Sequence, residues 1–240
     1  MTAYVFSILA DSYGDIPFTE ALNFKAYLNP KFDNAKDVNA SLITMLDDAL
    51  AKKADAENSA ISSPMGNTDF VFKGDISMWT KFAKSLKLKI LMRDPDFESN
   101  MTDIQALLAE GDLLNADCKI AVFENKENSS NPLFENDRRK LNTPQNIRAS
   151  STLALFLYTN NDPRASVFME RAAVPDAVYG DYVGLPQGGY TLGAAYANRT
   201  SRALLKATDP VYFMSLAEIE FIKAEANVLL LNVAEAKTNY

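Results

Sequence analysis

The chain has 240 residues, of which 48% are hydrophobic and 10% aromatic, enough apolar material for a substantial core. Its formal net charge of −7 argues against a nucleic-acid partner, which requires a local excess of Lys and Arg. Histidine is absent, and with it go the usual general base, the commonest metal ligand and every Ser-His or Cys-His nucleophile pair.

The first residues open directly into an apolar helix that closes at Asp11-Ser12-Tyr13-Gly14-Asp15-Ile16-Pro17-Phe18-Thr19-Glu20-Ala21-Leu22. There, Gly14 suits a positive φ, Asp15 can bond local amides and Pro17 blocks continuation of the helix, so the turn reads as chain geometry. From about Asp37 to Lys53, Val38, Leu42, Met45, Leu46 and Ala49 recur at helical spacing. From Asp75 to Arg93, Ile76, Trp79, Phe82, Ala83, Leu86 and Ile90 form one apolar stripe, which assigns Trp79 to packing. Lys81, Lys84 and Lys87 form the opposite face, read as its solvated side rather than as a docking surface for an anion.

A short helix over Thr102 to Glu110 stops at Gly111, a residue fitted to the left-handed C′ position. Strand character follows in Ile120 to Phe123, beside Cys118, the single cysteine, which excludes an internal disulfide and a thiolate metal site and reads as a core residue. Glu124 to Thr143, rich in Asn, Ser and charge, predicts a long connection. A helix resumes over Ser151 to Tyr158, and Asn161-Asp162-Pro163-Arg164 starts another through an N-cap Asp and a first-turn Pro. Ala172 to Thr200 holds five of the nine glycines and four of the ten tyrosines and reads as loop. Asp209-Pro210 repeats the cap-and-Pro signal before a helix that carries Val211, Phe213, Ala217, Phe221, Ile222, Ala224, Ala226, Val228 and Leu229. A second helix begins at Val233, and the spacing of Ala236 and Tyr240 is that of a tetratricopeptide-type pair.

Three ordered motifs resemble the SusD/RagB-like family, and more closely its SusD-like, starch-binding-associated outer-membrane lipoprotein branch. They are Tyr4-Val5-Phe6 with the Asp11 to Ala21 turn, Gly74-Asp75 with Trp79 to Leu88, and Pro210 to Phe221 continuing to Ala224-Glu225-Ala226. Asn131-Pro132-Leu133-Phe134 and Asn161-Asp162-Pro163-Arg164 fall between them in the expected order. The resemblance implies a mostly α fold, with tetratricopeptide-type helix pairs packed against a loop-rich irregular half with few short strands. It also implies a single domain over 1–240, truncated at both ends, helical over about 1–110 and 205–240 and loop-rich over about 111–204. Residues Val211 to Leu230 would then be left uncovered and promote self-association.

The function so implied is non-catalytic capture of an oligosaccharide or polysaccharide at the cell surface and its delivery to a SusC-like TonB-dependent transporter. The implied location is the outer membrane, through an N-terminal lipid anchor that no residue of this chain provides. No cofactor and no metal are expected. Sugar recognition needs flat aromatic faces and planar polar groups, and the 172–200 loop offers Tyr179, Asp181, Tyr182, Gln187, Tyr190, Tyr196, Asn198 and Arg199 as candidates. The family supplies no fixed contact that transfers by position, so these rest on composition. One alternative is an interaction module of the transporter complex that binds no sugar. The other, weaker one is a carboxylate-pair glycoside hydrolase using Asp176 with Asp181, or Asp11 with Asp15.

Overall fold

The computed structural model describes residues 1–58, 66–94, 96–140, 147–177, 180–189 and 199–240. In chain order its elements are α1 (Thr2–Tyr13), α2 (Ala35–Ala51), α3 (Lys53–Asn58), α4 (Ile76–Arg93), α5 (Met101–Glu110), β1 (Cys118–Ile120), α6 (Pro132–Phe134), α7 (Ser151–Thr159), α8 (Ala165–Phe168), β2 (Val211–Met214), α9 (Leu216–Leu229) and α10 (Val233–Asn239). The chain divides into two compact units: unit 1 comprises Met1–Ile120 and Tyr212–Tyr240, and unit 2 comprises Ala121–Val211.

Unit 1 is helical because its apolar residues recur at helical spacing and its helix ends are capped. Asn34 accepts the Lys36 N–H before α2, Asp75 the Met78 N–H before α4, and Ser215 the Glu218 N–H before α9. Gly111 ends α5 at φ 67°. The core is made by Val38 and Leu42 of α2, Leu86, Leu88 and Leu91 of α4, Ile104 of α5, and Met214 and Ile219 from the returning segment. Cys118 is fully buried among them, and burial, reinforced by the Asp69 charge, pushes its thiol up to about 12. It is therefore an inert core residue.

The predicted helix carrying Val211 and Phe213 starts later than expected. Val211–Met214 is a strand paired with β1, and Ser215, not Asp209, is the cap of the helix that follows. A β-branched and aromatic run with a buried end residue favours pairing over helix, and Tyr4 Oη reaches back to the Phe213 carbonyl at 2.8 Å.

Of the α4 lysines read as solvated, Lys84 and Lys87 are paired with carboxylates, and Lys89 beside them is too. Lys84 pairs with Glu110 and, at 3.0 Å, with Asp112; Lys87 meets Asp47 at 2.6 Å and Lys89 meets Glu218 at 2.6 Å. Their side chains are largely covered, so they tie α4 to α2, α5 and α9. Trp79 is half-buried, edge-on to Phe72 and Phe82, and donates from Nε1 to Asp69 at 2.8 Å. The same carboxylate accepts N–H groups from Val71, Phe72 and Gly74, which fixes the turn before α4. Asp69→Ala leaves four donors without this acceptor and is expected to lower stability by about 3 kcal/mol, readable as a shift of the urea midpoint.

The turn after α1 is structural, as expected, but its partner is distant. Gly14 has φ 75°, and Asp15 accepts the Ala35 N–H at 3.1 Å. Asp33 accepts Thr19 N–H at 2.7 Å and Phe18 N–H at 3.1 Å, and pairs through its backbone with Ile16.

Several unit 1 carboxyls are held below their ordinary values. For Asp33 the cause is the Thr19 N–H, for Asp112 the Lys84 ammonium, and for Asp117 the Leu216 N–H together with Lys119. Burial pushes Asp69 up, but its four hydrogen bonds outweigh this and hold it low as well. A depressed folded pKa gives stability that is complete above the unfolded value, about 3.9 for Asp, and is lost as pH falls through the folded one. Melting temperature followed by circular dichroism should thus be flat near neutrality and fall below about pH 4.

Unit 2 contains more regular structure than its composition predicts. Within the predicted 124–143 connection, Asn131 caps α6 by accepting the Leu133 and Phe134 N–H groups, Pro132 takes the first helical position, and Glu135–Lys140 continues as a π-helix. Outside α7 and α8, short extended segments are joined by single bridges. Ala149 N–H donates to Ser201 O, Ser201 N–H to Val183 O, Leu185 N–H to Ala149 O, Ser151 N–H to Leu185 O, and Glu170 N–H to Arg202 O. Such single bridges satisfy backbone groups without building a sheet.

A buried charge cluster pins these segments. Asp137, 3% exposed, pairs with Arg138 and lies 3.6 Å from Arg202. Arg138 also donates to Glu170 at 3.2 Å and to the Ala203 carbonyl at 2.8 Å, while Arg148 donates to the Thr200 carbonyl at 2.6 Å. Burial, with repulsion from Arg202, pushes the Arg138 and Arg148 guanidinium pKa values down.

Candidate functional site

Unit 2 holds a cleft of about 730 Å³ beside α7. Helix α7, capped by Ser150, contributes Ser151, Thr152, Leu155, Phe156 and Thr159, and the facing loop contributes Asp176, Val183, Gly184 and Pro186. Ala154 and Leu157 bury one side of α7 against Ala149 and Met169, which leaves Leu155 and Phe156 exposed, Phe156 by 57%. Asp176 is positioned by a reciprocal backbone pair with Gly180 at 2.9 Å in each direction. A carboxylate and hydroxyls converging beside an aromatic face can hold the hydroxyls of a small polar ligand while the ring covers its apolar side.

Gly184 sets how closely loop and helix approach. A Cβ there would lie 2.6 Å from the Ser150 carbonyl carbon and nearer still to the backbone of Ser151, so only glycine fits. The close contact is fixed by the Ser151 N–H donating to Leu185 O at 2.9 Å.

Of the residues singled out from the sequence, Tyr179, Tyr190, Tyr196 and Asn198 lie outside the described residues. Asp181 forms an ion pair with Arg171 at 2.8 Å, and its carbonyl accepts the Ala172 N–H. Tyr182 is partly buried against Ala149, Ala154, Leu157 and Met169 and borders a second cavity of about 220 Å³ with Tyr158, Asn161 and Ala165. Gln187 and Arg199 are exposed. None of these four lines the 730 Å³ cleft; the 172–200 loop enters it through Asp176, Val183, Gly184 and Pro186. Phe156 and Leu155 were not singled out. Their signal is that Leu153, Ala154, Leu155, Phe156, Leu157 and Tyr158 make α7 apolar all round, more than one buried face requires.

Three of the four carboxylates nominated for hydrolysis have partners of their own, and the fourth, Asp176, lines the cleft. Asp11 pairs with Arg93, Asp15 accepts the Ala35 N–H, and Asp181 pairs with Arg171. Among the described residues no group of three or more acidic or thiol side chains is placed to hold a metal ion, and no helix is long and apolar enough to cross a membrane.

The family model described as SusD-like, starch-binding associating with outer membrane, matches residues 1–240, and the chain belongs to that family. Its fold is similar to that of a SusD homologue from Bacteroides uniformis at 25% identity, covering 94% of this chain and 47% of that one with a TM-score of 0.74. A SusD homologue from Bacteroides ovatus aligns at 23% identity over 100% of this chain and 49% of its own, with a TM-score of 0.78. A SusD/RagB family protein from Bacteroides thetaiotaomicron gives 23% identity, 99% and 49% coverage and a TM-score of 0.74. The chain thus spans about half the length of these structures. A search of curated proteins finds no match. The fold expectation, mostly α with few short strands, is met.

Proposed function

We propose that this chain is the glycan-binding part of an outer-membrane nutrient receptor, that it performs no chemistry on its ligand, and that the captured glycan passes to a SusC-like TonB-dependent transporter. The observation that carries the reading is a cleft lined by the exposed Phe156 together with Thr152, Thr159 and Asp176. Family membership supports the glycan as ligand and the outer membrane as location, because the family is described as starch-binding and outer-membrane-associated. A binding role rather than hydrolysis is supported by the engagement of Asp11, Asp15 and Asp181 with other partners. Of the tyrosine-rich loop, Asp176, Gly184 and Pro186 are the residues we assign to the site; Tyr179, Tyr190 and Tyr196 are kept as proposed ligand contacts.

The described lining of the cleft holds no cation to pair with a carboxylate, so a neutral saccharide suits it better than a uronate. In affinity electrophoresis through gels containing soluble polysaccharides, starch or another neutral glycan should retard the chain and polygalacturonate should not. Phe156→Ala should weaken that retardation about tenfold, as expected for loss of an aromatic anchor. Retention of full affinity by this variant would remove the cleft from the proposal, and failure of every glycan to retard the parent chain would remove sugar capture itself. Release of reducing ends from a bound glycan would return the hydrolase reading.

A further inference from the structure

Helix α7 ends in a turn that favours glycine and carries asparagine instead. The Asn161 N–H donates to the Tyr158 carbonyl at 3.1 Å and the Asp162 N–H to the Leu157 carbonyl at 2.8 Å, the paired bonds that close a helix through one left-handed residue. Asn161 is that residue, at φ 49°. Glycine adopts this conformation without a side-chain penalty, so an amide is retained here against the local preference. That amide has no hydrogen-bond partner among the described residues. The turn itself does not use it.

The Asn161 side chain borders the cavity of about 220 Å³ that is also lined by Tyr158, 49% exposed, Tyr182 and Ser166. The Tyr182 hydroxyl likewise has no partner among the described residues. Ser166 donates to the Pro163 carbonyl at 3.1 Å, which leaves its oxygen free to accept. The one charged group in the described lining, Asp162, has both carboxylate oxygens taken by Arg164 at 2.6 and 3.0 Å. Two phenol rings, an amide and a hydroxyl, with no unpaired charge, therefore surround a space for about one pyranose ring.

We propose that this cavity is a second saccharide subsite, which takes one neutral sugar residue of a polysaccharide that also occupies the cleft; the inference rests on the glycan-binding reading. Leu157 and Tyr158 line the cavity, Phe156 and Thr159 line the cleft, and Ala154 lines both. The two sites thus lie across one helix, a width of about 10 Å that a few sugar residues span. Once the cleft is filled, the second contact is intramolecular and raises the affinity for a polymer.

The test is affinity electrophoresis through soluble starch, dextran or galactomannan, with thermal unfolding of the same proteins. In a gel that retards the parent chain, Asn161→Gly should weaken retardation about fivefold and Tyr182→Phe about threefold, each the loss of one hydrogen bond. The thermal midpoint of Asn161→Gly should be unchanged or higher, because glycine relieves the left-handed backbone. Tyr182→Phe keeps its ring against Ala154 and Leu157 and should melt with the parent. Weaker binding without lower stability is a result that a merely structural asparagine does not give. Retardation of both variants equal to the parent's overturns the subsite and leaves the cleft standing, as does a midpoint of Asn161→Gly that falls in step with its retardation. A parent chain that no gel retards overturns the glycan-binding reading, and the subsite with it.

Discussion

Asp137→Ala is expected to destabilise unit 2 by about 3–5 kcal/mol, the cost typical of removing one partner from a buried ion pair. Asp137 is 3% exposed and faces Arg138 and Arg202, with Glu170 as the other anion of the cluster. Without it, one carboxylate would face two guanidiniums already held away from water. Asp137→Leu combined with Arg138→Met should recover much of the loss, because apolar replacement of both partners removes the unpaired charge as well as the pair. Denaturant unfolding of the single and double variants measures both effects. An alanine variant as stable as the parent would mean that the cluster contributes nothing net to folding.

Gly184→Ala should be of comparable size despite adding a single methyl group. The new carbon would collide with main-chain atoms of Ser150 and Ser151, which cannot rotate aside as a side-chain tip can. Either the Ser151–Leu185 backbone pair breaks or the start of α7 moves, at an expected cost of about 3 kcal/mol or more. Because Ser151, Thr152 and Gly184 all border the cleft, glycan retardation should fall together with the thermal midpoint. Gly188→Ala gives the contrast: its φ of 74° brings backbone strain, but nothing lies within 4 Å of the added carbon. Its cost should be about 1 kcal/mol, with the cleft intact.

Unit 1 was legible in the sequence because each helix carries its own periodicity and end signals. Val38, Leu42 and Leu46 point to one face, and Asp75 and Gly111 mark a beginning and an end. What local pattern could not supply was the choice among competing partners. Asp209-Pro210 has the form of a helix start, yet Met214 is buried and the strand to which it belongs pairs with a segment almost a hundred positions earlier. The α4 lysines look solvated in a helical projection because their carboxylates come from other helices.

In unit 2 the difficulty was of another kind. Single bridges such as Arg148–Arg202 and Ser150–Leu185 have no period to detect, since one residue at a time is paired. The sequence points to the 172–200 loop, but its Tyr182 is partly spent on packing, and the aromatic residue that lines the cleft is Phe156, on a helix to which the sequence assigned no ligand role. Composition selects a region. It does not say which neighbouring element supplies the aromatic side of a cleft that the region borders.

The division of the chain also fixes an order of assembly. Unit 2 is one uninterrupted segment, whereas unit 1 needs β2, α9 and α10, which follow unit 2 in the chain. On a ribosome, residues 121–211 have all their own partners before β1 has its neighbour, and Met214 and Ile219 are not yet present to close the core around Cys118. Vectorial emergence of the chain therefore lets the later-starting unit complete its contacts first, while the earlier helices wait for β2 and α9.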